Sequence, residues 1–164
     1  MVAQDKDRGA QRSLAPGYRI LAAHWRDWRA LYRLEKAVFP TDAWPLLDLI
    51  AVLTWPGIVR LKAVVQGEMV GFVAAQVRSG VAWIATLGVL PAYRGQGIGR
   101  ALMQACEARL PADKPIRLTV RRANLAAQRL YQSLGYRVIG LWPRYYVDRE
   151  DALIMEKSPR LRRL

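Results

Sequence analysis

Residues Leu87 to Leu102 read L-G-V-L-P-A-Y-R-G-Q-G-I-G-R-A-L, and the rest of the chain is organised around them. An apolar run from Val81 to Val89 predicts a strand, and it leads through a glycine-rich loop into a helical pattern beginning near Ile98. Glycines let a backbone approach a bulky anion, and the first amides of a helix lack partners within the helix. The helix dipole and the guanidinium groups of Arg94 and Arg100 add positive charge. The stretch therefore predicts a diphosphate-binding site.

Two common phosphate-binding signatures do not match this stretch. A Walker loop requires Gly-Lys followed by Ser or Thr at the start of the helix, and the sequence has none there. A dinucleotide fingerprint requires a third glycine where Arg100 stands, and an acidic residue about 20 residues further on, where Arg121 and Arg122 stand. A plain turn between a strand and a helix is the remaining structural alternative.

Length and composition are those of one globular domain. The chain has 164 residues, of which 52% are hydrophobic and 24% are charged, and this suffices for one buried core. No apolar segment reaches the ~18 residues that span a bilayer, and the polar start lacks a signal-peptide apolar region. Cys106, the single cysteine, falls in a helical pattern, where we expect a small core residue. One thiol cannot form a disulfide within the chain, so we expect a cytoplasmic protein.

The net charge of +13 favours anionic partners. Nucleic acid and a phosphorylated cofactor are both candidates, and a basic surface without a partner is the structural alternative. The basic residues are spread over the chain, and no DNA- or RNA-recognition motif is found. Nucleic acid is therefore disfavoured, although an association with ribosomes stays open. The sequence does not choose between a monomer and a homodimer.

The order of predicted elements is β, α, α, β, β, β, α, β, α, β, β. Residues 1–16 are predicted to be a disordered lead-in, residues 17–157 a single domain, and residues 158–164 a basic tail. Antiparallel strands come first, and alternating strands and helices follow. This order predicts an α/β (α+β) fold with a mixed, mostly antiparallel central sheet of about seven strands and helices on both faces.

The turn and cap signals agree with this order. Gln66-Gly67-Glu68 joins two β-like runs, which predicts a hairpin. Asn124 is a favourable N-cap for the last helix, and Gly135 a favourable stop. The helix after the glycine-rich loop is predicted to reach Leu110, because Pro111 follows.

Four pieces of the sequence resemble the GNAT superfamily of N-acetyltransferases, over about Arg19 to Lys157. They are the glycine-rich stretch, E-K-A-V-F-P-T-D-A-W (35–44), N-L-A-A-Q-R-L-Y-Q-S-L-G-Y (124–136) and Y-Y-V-D-R-E-D-A-L-I-M (145–155). Two of these pieces, residues 35–44 and 145–155, are similar to the RimI-type branch of the superfamily, the ribosomal-protein alanine N-acetyltransferases. The resemblance implies the GNAT fold and an enzyme that moves an acetyl group from acetyl-CoA to a primary amine by direct attack.

The resemblance also implies roles for individual positions. Tyr131 matches the tyrosine that acts as general acid, and the amide of Val89 matches the donor to the developing oxyanion. The structural alternative for Tyr131 is a core aromatic on a helix face. No metal is implied. The positions implied to bind acetyl-CoA are Leu87, Gly88, Val89, Arg94, Gly95, Gln96, Gly97, Ile98, Gly99, Arg100, Asn124 and Tyr131.

One position departs from the RimI-type pattern. The branch carries a glutamate base in L-E-V-R, and the matching residue here is Thr119, which cannot act as a base at neutral pH. Either water links the amine to another carboxylate, such as Glu35 or Glu150, or the amine arrives neutral. An α-amine with a pKa near ~8 meets the second condition far better than a lysine amine near ~10.4.

The sequence says least about the amine acceptor and its pocket. By position the acceptor pocket is implied to contain Phe39, Trp44, Tyr145 and Tyr146, with ordinary packing aromatics as the structural alternative. The acceptor is either a peptide N-terminus or a small amine.

Three rival functional classes stay open. They are a non-catalytic acyl-CoA-binding sensor, which the missing glutamate favours, a nicotinamide-dependent oxidoreductase, and an RNA-associated protein.

Overall fold

The structure is a computed structural model, and it describes residues 17–159. The predicted lead-in, residues 1–16, and residues 160–164 of the predicted tail lie outside the described residues. The strands are β1 Arg19–Ala22, β2 Ile58–Val65, β3 Glu68–Arg78, β4 Val81–Val89, β5 Ile116–Arg121, β6 Arg137–Trp142 and β7 Ala152–Lys157. The helices are α1 Trp28–Val38, α2 Leu46–Thr54, α3 Ile98–Glu107 and α4 Leu125–Ser133.

The strands form one sheet of seven in the order β1-β2-β3-β4-β5-β7-β6. Every neighbouring pair is antiparallel except β4 and β5. That parallel ladder holds only two residue pairs, Ala82 with Ile116 and Trp83 with Arg117. Beyond these two pairs, the facing edges of β4 and β5 are not paired with each other. A gap therefore opens in the middle of the sheet.

Helices cover both faces of the sheet and define two cores. On one face, α3 packs Leu102 and Cys106 among residues of β2 to β5. On the other face, α1 and α2 pack against Phe72 and Ala74 of β3. The predicted fold class is therefore confirmed. Cys106 is fully buried, and burial raises the pKa of its thiol to about 12, which fits an inert core residue.

Turn and cap chemistry explains the element bounds. Gln66 and Gly67 both have positive φ, as a two-residue hairpin turn requires. The Asn124 side chain accepts a hydrogen bond from the Ala127 amide, 3.1 Å away, and so caps α4 as expected. Gly135 follows α4 with φ of +95°.

The end of α3 differs from the prediction. The helix ends at Glu107 rather than near Leu110. The amides of Arg109 and Leu110 donate to carbonyls three residues back, at 2.9 and 3.2 Å. The last turn therefore tightens before Pro111 is reached.

Candidate active site

The unpaired edge of β4 is one wall of the gap in the sheet. The Leu90 amide donates to the Val70 carbonyl of β3, 2.8 Å away. Because successive backbone groups of a strand point in opposite directions, the Val89 amide points away from β3 and into the gap. The Val89 carbonyl also points away from β3, since it accepts a hydrogen bond from Arg94 Nε at 3.0 Å. The predicted donor amide thus faces open space.

The loop after β4 has the shape of an anion cradle. Gly95 and Gly97 have φ of +74° and +82°, and no heavy atom lies within 4 Å of where a Cβ would stand. Gly97 is the residue before α3, so the amides at the start of the helix have no acceptor within it. Left-handed glycines, free amides and a helix N-terminus fit the diphosphate that the sequence predicts.

Gly99, Arg100 and Gln96 make their contacts with other parts of the protein. A Cβ at Gly99 would lie 3.4 Å from Leu130 Cδ2, so this glycine permits α3 to pack on α4. Arg100 Nη2 donates to Ser133 Oγ at 2.7 Å, and Gln96 Nε2 donates to a carbonyl in the same loop. Binding to an anion at these positions would therefore rely on backbone groups, with Arg94 and Arg100 adding charge nearby.

We expect Gly97→Ala to lower the free energy of unfolding by about 1–2 kcal/mol, because a side chain disfavours the left-handed conformation. Urea unfolding measures this change. Gly17→Ala is the matched control, since a Cβ at Gly17 also meets open space but its φ is ordinary. Equal stabilities of the two variants would contradict the assigned loop conformation.

Tyr131 lies on α4, and its side chain is part of the core on the α3 face of the sheet. Its side chain is 7% exposed, and its ring meets that of Tyr136 edge-on at 5.9 Å. Burial, and secondarily the nearby phenol of Tyr146, raise the pKa of Tyr131 well above its ordinary value. The hydroxyl therefore keeps its proton at neutral pH, as a general acid must.

The acceptor side of the gap begins at the end of α1. A Cβ at Gly88 of β4 would lie 3.2 Å from Val38 and 3.3 Å from Phe39, so the glycine lets α1 reach the strand. Phe39 is thereby brought against the wall that carries the Val89 amide. Trp44 is half-buried, and its amide donates to Glu35 Oε1 at 3.4 Å.

Glu35 is a buried carboxyl group in this region, only 2% exposed. Burial raises its pKa from 4.5 to about 7, and the hydrogen bond from the Trp44 amide opposes part of this rise. The folded protein therefore binds the proton more tightly than the unfolded chain does. Consequently, the stability that Glu35 contributes is fully present below about pH 4.5 and is lost as pH rises to about 7.

We expect Glu35→Gln to remove this loss. Between pH 5 and pH 7.5 the wild type should lose about 1–3 kcal/mol more unfolding free energy than the variant. Urea unfolding at both pH values tests this. Glu68→Gln, a change at an exposed glutamate, is expected to keep the wild-type slope. If Glu35→Gln showed the same change of unfolding free energy with pH as the wild type, the raised pKa of Glu35 would be contradicted.

The β6–β7 loop supplies the two predicted tyrosines, in different environments. Tyr146 is half-buried, and its ring lies over the Arg121 guanidinium, 4.1 Å from the ring centroid. Burial raises the pKa of Tyr146, and a hydrogen bond with the Thr119 side chain opposes this. Tyr145 is 51% exposed and stacks on Trp142, at 5.3 Å between centroids. Tyr146 is therefore the tyrosine placed at the gap.

Arg121 and its carboxylate partners were not predicted from the sequence. Arg121 follows Thr119 on the same face of β5, and it donates to Asp42 in the α1–α2 loop. It also donates to Asp148 and Glu150 in the β6–β7 loop, at 2.9 and 2.5 Å. Strand alternation could have placed Arg121 beside Thr119, but no local signal reveals partners that come from distant loops.

Within residues 17–159, no three or more His, Cys, Asp and Glu side chains are grouped so as to hold a metal ion. None of the helices over this range is long and apolar enough to cross a membrane.

Comparison with known proteins identifies the class. Residues 22–136 match the model of the acetyltransferase (GNAT) family. An uncharacterised N-acetyltransferase of Methanocaldococcus jannaschii is 33% identical over 136 residues, which are 81% of this chain and 86% of that protein. The chain therefore belongs to the GNAT family and is an N-acetyltransferase, for which acetyl-CoA is the co-substrate.

The resemblance to the RimI-type branch is confirmed by a solved structure. The Escherichia coli ribosomal-protein-S18-alanine N-acetyltransferase has 29% identity and a TM-score of 0.78, over 90% of this chain and 99% of that one. Arabidopsis thaliana NAA60, solved in complex with acetyl-CoA, shares the fold with 22% identity and a TM-score of 0.76. The match covers 85% of this chain and 97% of the NAA60 chain.

Proposed function

We propose that this enzyme transfers the acetyl group of acetyl-CoA to the α-amine of a peptide N-terminus. The observation that carries the proposal is the gap between β4 and β5. The Val89 amide faces the gap from β4, Thr119 lies on the unpaired part of β5, and the Tyr146 ring lies over Arg121 of the same strand. We assign the general acid to Tyr131 of α4 from its match to the family pattern. An acyl group and an amine that enter from opposite sides of the sheet meet there.

Each named group has one task in the reaction. The cradle at residues 95–100 holds the diphosphate through backbone amides and so fixes the thioester beside β4. The Val89 amide donates to the oxygen on which negative charge develops. Tyr131 gives its proton to the departing sulfur. The proximity of the two bound substrates supplies much of the remaining acceleration.

Two arguments favour an α-amine over other amines. The similar E. coli enzyme acetylates alanine of a ribosomal protein, and the only amine of alanine is its α-amine. In addition, Thr119 stands where the branch has a glutamate base. An α-amine, with a pKa near ~8, loses its proton far more easily than a lysine side chain near ~10.4. Glu35 Oε1 accepts from the Trp44 amide, and both oxygens of Glu150 are bonded, to Arg121 and to the Ala123 amide.

A panel of acceptors tests the proposal. The purified enzyme is incubated with acetyl-CoA and peptides that differ in their first residue, N-terminally blocked peptides with one lysine, or small primary amines. Released thiol and product mass are followed. We expect acetylation of free N-termini at a rate at least ten times that of lysine side chains, as the pKa difference requires. Acetylation of small amines alone would contradict the peptide acceptor. Acetyl-CoA binding without thiol release would support the sensor function.

The setting of the reaction is part of the proposal. We place it in the cytoplasm, with the single thiol buried in the core. A ribosomal protein is one acceptor to include in the panel, by analogy with the E. coli enzyme.

A further inference from the structure

Arg121 gathers three carboxylates at the acceptor side of the gap. Asp42 comes from the α1–α2 loop, whereas Asp148 and Glu150 come from the β6–β7 loop. Three negative charges therefore surround one positive charge. In a chain with a net charge of +13, this cluster is a region of opposite sign.

One oxygen atom of this cluster lacks a partner. Asp42 Oδ2 accepts from Arg121, whereas Asp42 Oδ1 is buried and accepts no hydrogen bond from the described part of the chain. Both oxygens of Asp148 accept from Arg121. The oxygens of Glu150 accept from Arg121 and from the Ala123 amide. A buried acceptor without a donor destabilises the folded protein, so a donor from a ligand would stabilise this arrangement.

Asp42 lies next to the groups that border the gap. Its partner Arg121 lies under the ring of Tyr146. Arg121 is also two positions after Thr119 on the same face of β5. Because Asp42 bonds to Arg121, its free oxygen lies on the face of the strand from which a glutamate at position 119 would project.

We propose that Asp42 Oδ1 binds the protonated amine of the acceptor and takes the proton that the amine loses before it attacks. The inference rests on the proposed function and names the residue that replaces the glutamate absent at Thr119. The ammonium supplies the hydrogen bond that Oδ1 lacks. It also reduces the local charge from three negative against one positive to three against two. Oδ1 is buried in the unliganded protein, so a neighbouring side chain moves when the amine binds.

The proton balance of the step is complete. One N–H proton passes to Asp42, and the neutral nitrogen forms a bond to the carbonyl carbon. The carbon–sulfur bond breaks, and the sulfur takes the proton of Tyr131. The nitrogen then releases a second proton, which restores Tyr131 through water, and Asp42 gives its proton to solvent.

The variant Asp42→Asn tests this role. Its side-chain oxygen can still accept from Arg121, but its NH2 group then faces the ammonium and cannot take a proton. We expect the KM for an alanine-initiated peptide to rise about 10- to 100-fold and kcat to fall, since general-base help is of the order of 10²–10⁴-fold. The KM for acetyl-CoA should stay within about threefold. The deficit should narrow near pH 9.5, where the α-amine is already neutral.

Asp148→Asn is the charge-matched control. It removes the same formal charge from the same guanidinium, but both oxygens of Asp148 are already bonded to Arg121. We expect a change of less than about threefold in peptide KM, as for an exposed ion pair. Equal effects of the two variants would overturn the specific role of Asp42. If Asp42→Asn does not fold, Asp42→Ser gives the same readout, since its hydroxyl cannot act as the proton acceptor.

Binding without turnover separates this inference from the proposed function. Calorimetry in the presence of coenzyme A compares the alanine-initiated peptide with its N-acetylated form. We expect the wild type to bind the free amine at least ten times more tightly, and Asp42→Asn to lose this preference. If the wild type acetylates no amine but keeps the preference, the proposed function fails and the Asp42 site stands. If acetylation proceeds and Asp42→Asn behaves as wild type in both assays, the Asp42 site is overturned alone.

Discussion

Tyr131→Phe is expected to lower kcat by about 10²–10⁴-fold while the KM for acetyl-CoA stays within about threefold. The substitution removes one hydroxyl and keeps the ring that packs against Tyr136. General-acid help to a leaving group is of this order. Steady-state kinetics with the preferred peptide, together with a thermal melt, measures the effect on turnover and on folding separately.

Tyr136→Phe is the matched control for this change. The Tyr136 hydroxyl donates to buried Glu107 at 2.9 Å, so its role is structural. We expect this variant to lose about 1–3 kcal/mol of stability, because a buried carboxylate loses a donor, and to keep its kcat. A Tyr131→Phe enzyme with wild-type kcat would remove Tyr131 from the mechanism and leave it as a core aromatic.

Val89→Pro is expected to lower kcat by about 10²–10³-fold. Proline has no N–H, and loss of one donor to a developing oxyanion costs about this much. Because the Val89 amide faces the gap rather than β3, no hydrogen bond of the sheet is lost, and the enzyme should still fold. Stopped-time acetylation assays at saturating acetyl-CoA measure the effect.

Val89→Ala separates the amide from the side chain. It keeps the N–H and shortens the side chain, whose Cγ2 lies 3.8 Å from where a Cβ at Gly99 would stand. We expect its kcat to stay within about fivefold of wild type, since it makes no change to the donor. A folded Val89→Pro enzyme that turns over as fast as Val89→Ala would show that the amide plays no part.

Local signals predicted most of the fold. β4 was predicted at its observed bounds, because an apolar run between Ser79-Gly80 and Pro91 leaves little choice. The hairpin at Gln66-Gly67 and the cap at Asn124 were also correct, since each depends on neighbouring residues only. The end of α3 was missed by three residues because Pro111 sets the latest end of a helix, and hydrogen bonds within the last turn ended it earlier.

The candidate site was predicted only in part, for a physical reason. The positive φ of Gly95 and Gly97 follows from local sequence, so the conformation of this loop could be predicted. The pairing of Arg121 with Asp42 joins residues 79 positions apart, so no local pattern indicates it. Likewise, the raised pKa of Glu35 depends on burial by α1 and α2, which only the assembled fold provides.

A crystal structure of the protein with bound coenzyme A tests the central claim most directly. We expect the diphosphate to accept hydrogen bonds from the amides of residues 95–100, and the sulfur to lie in the gap between the Val89 amide and the Tyr131 hydroxyl. Coenzyme A bound elsewhere on the chain, or bound in the cradle with its sulfur outside the gap, would contradict the account.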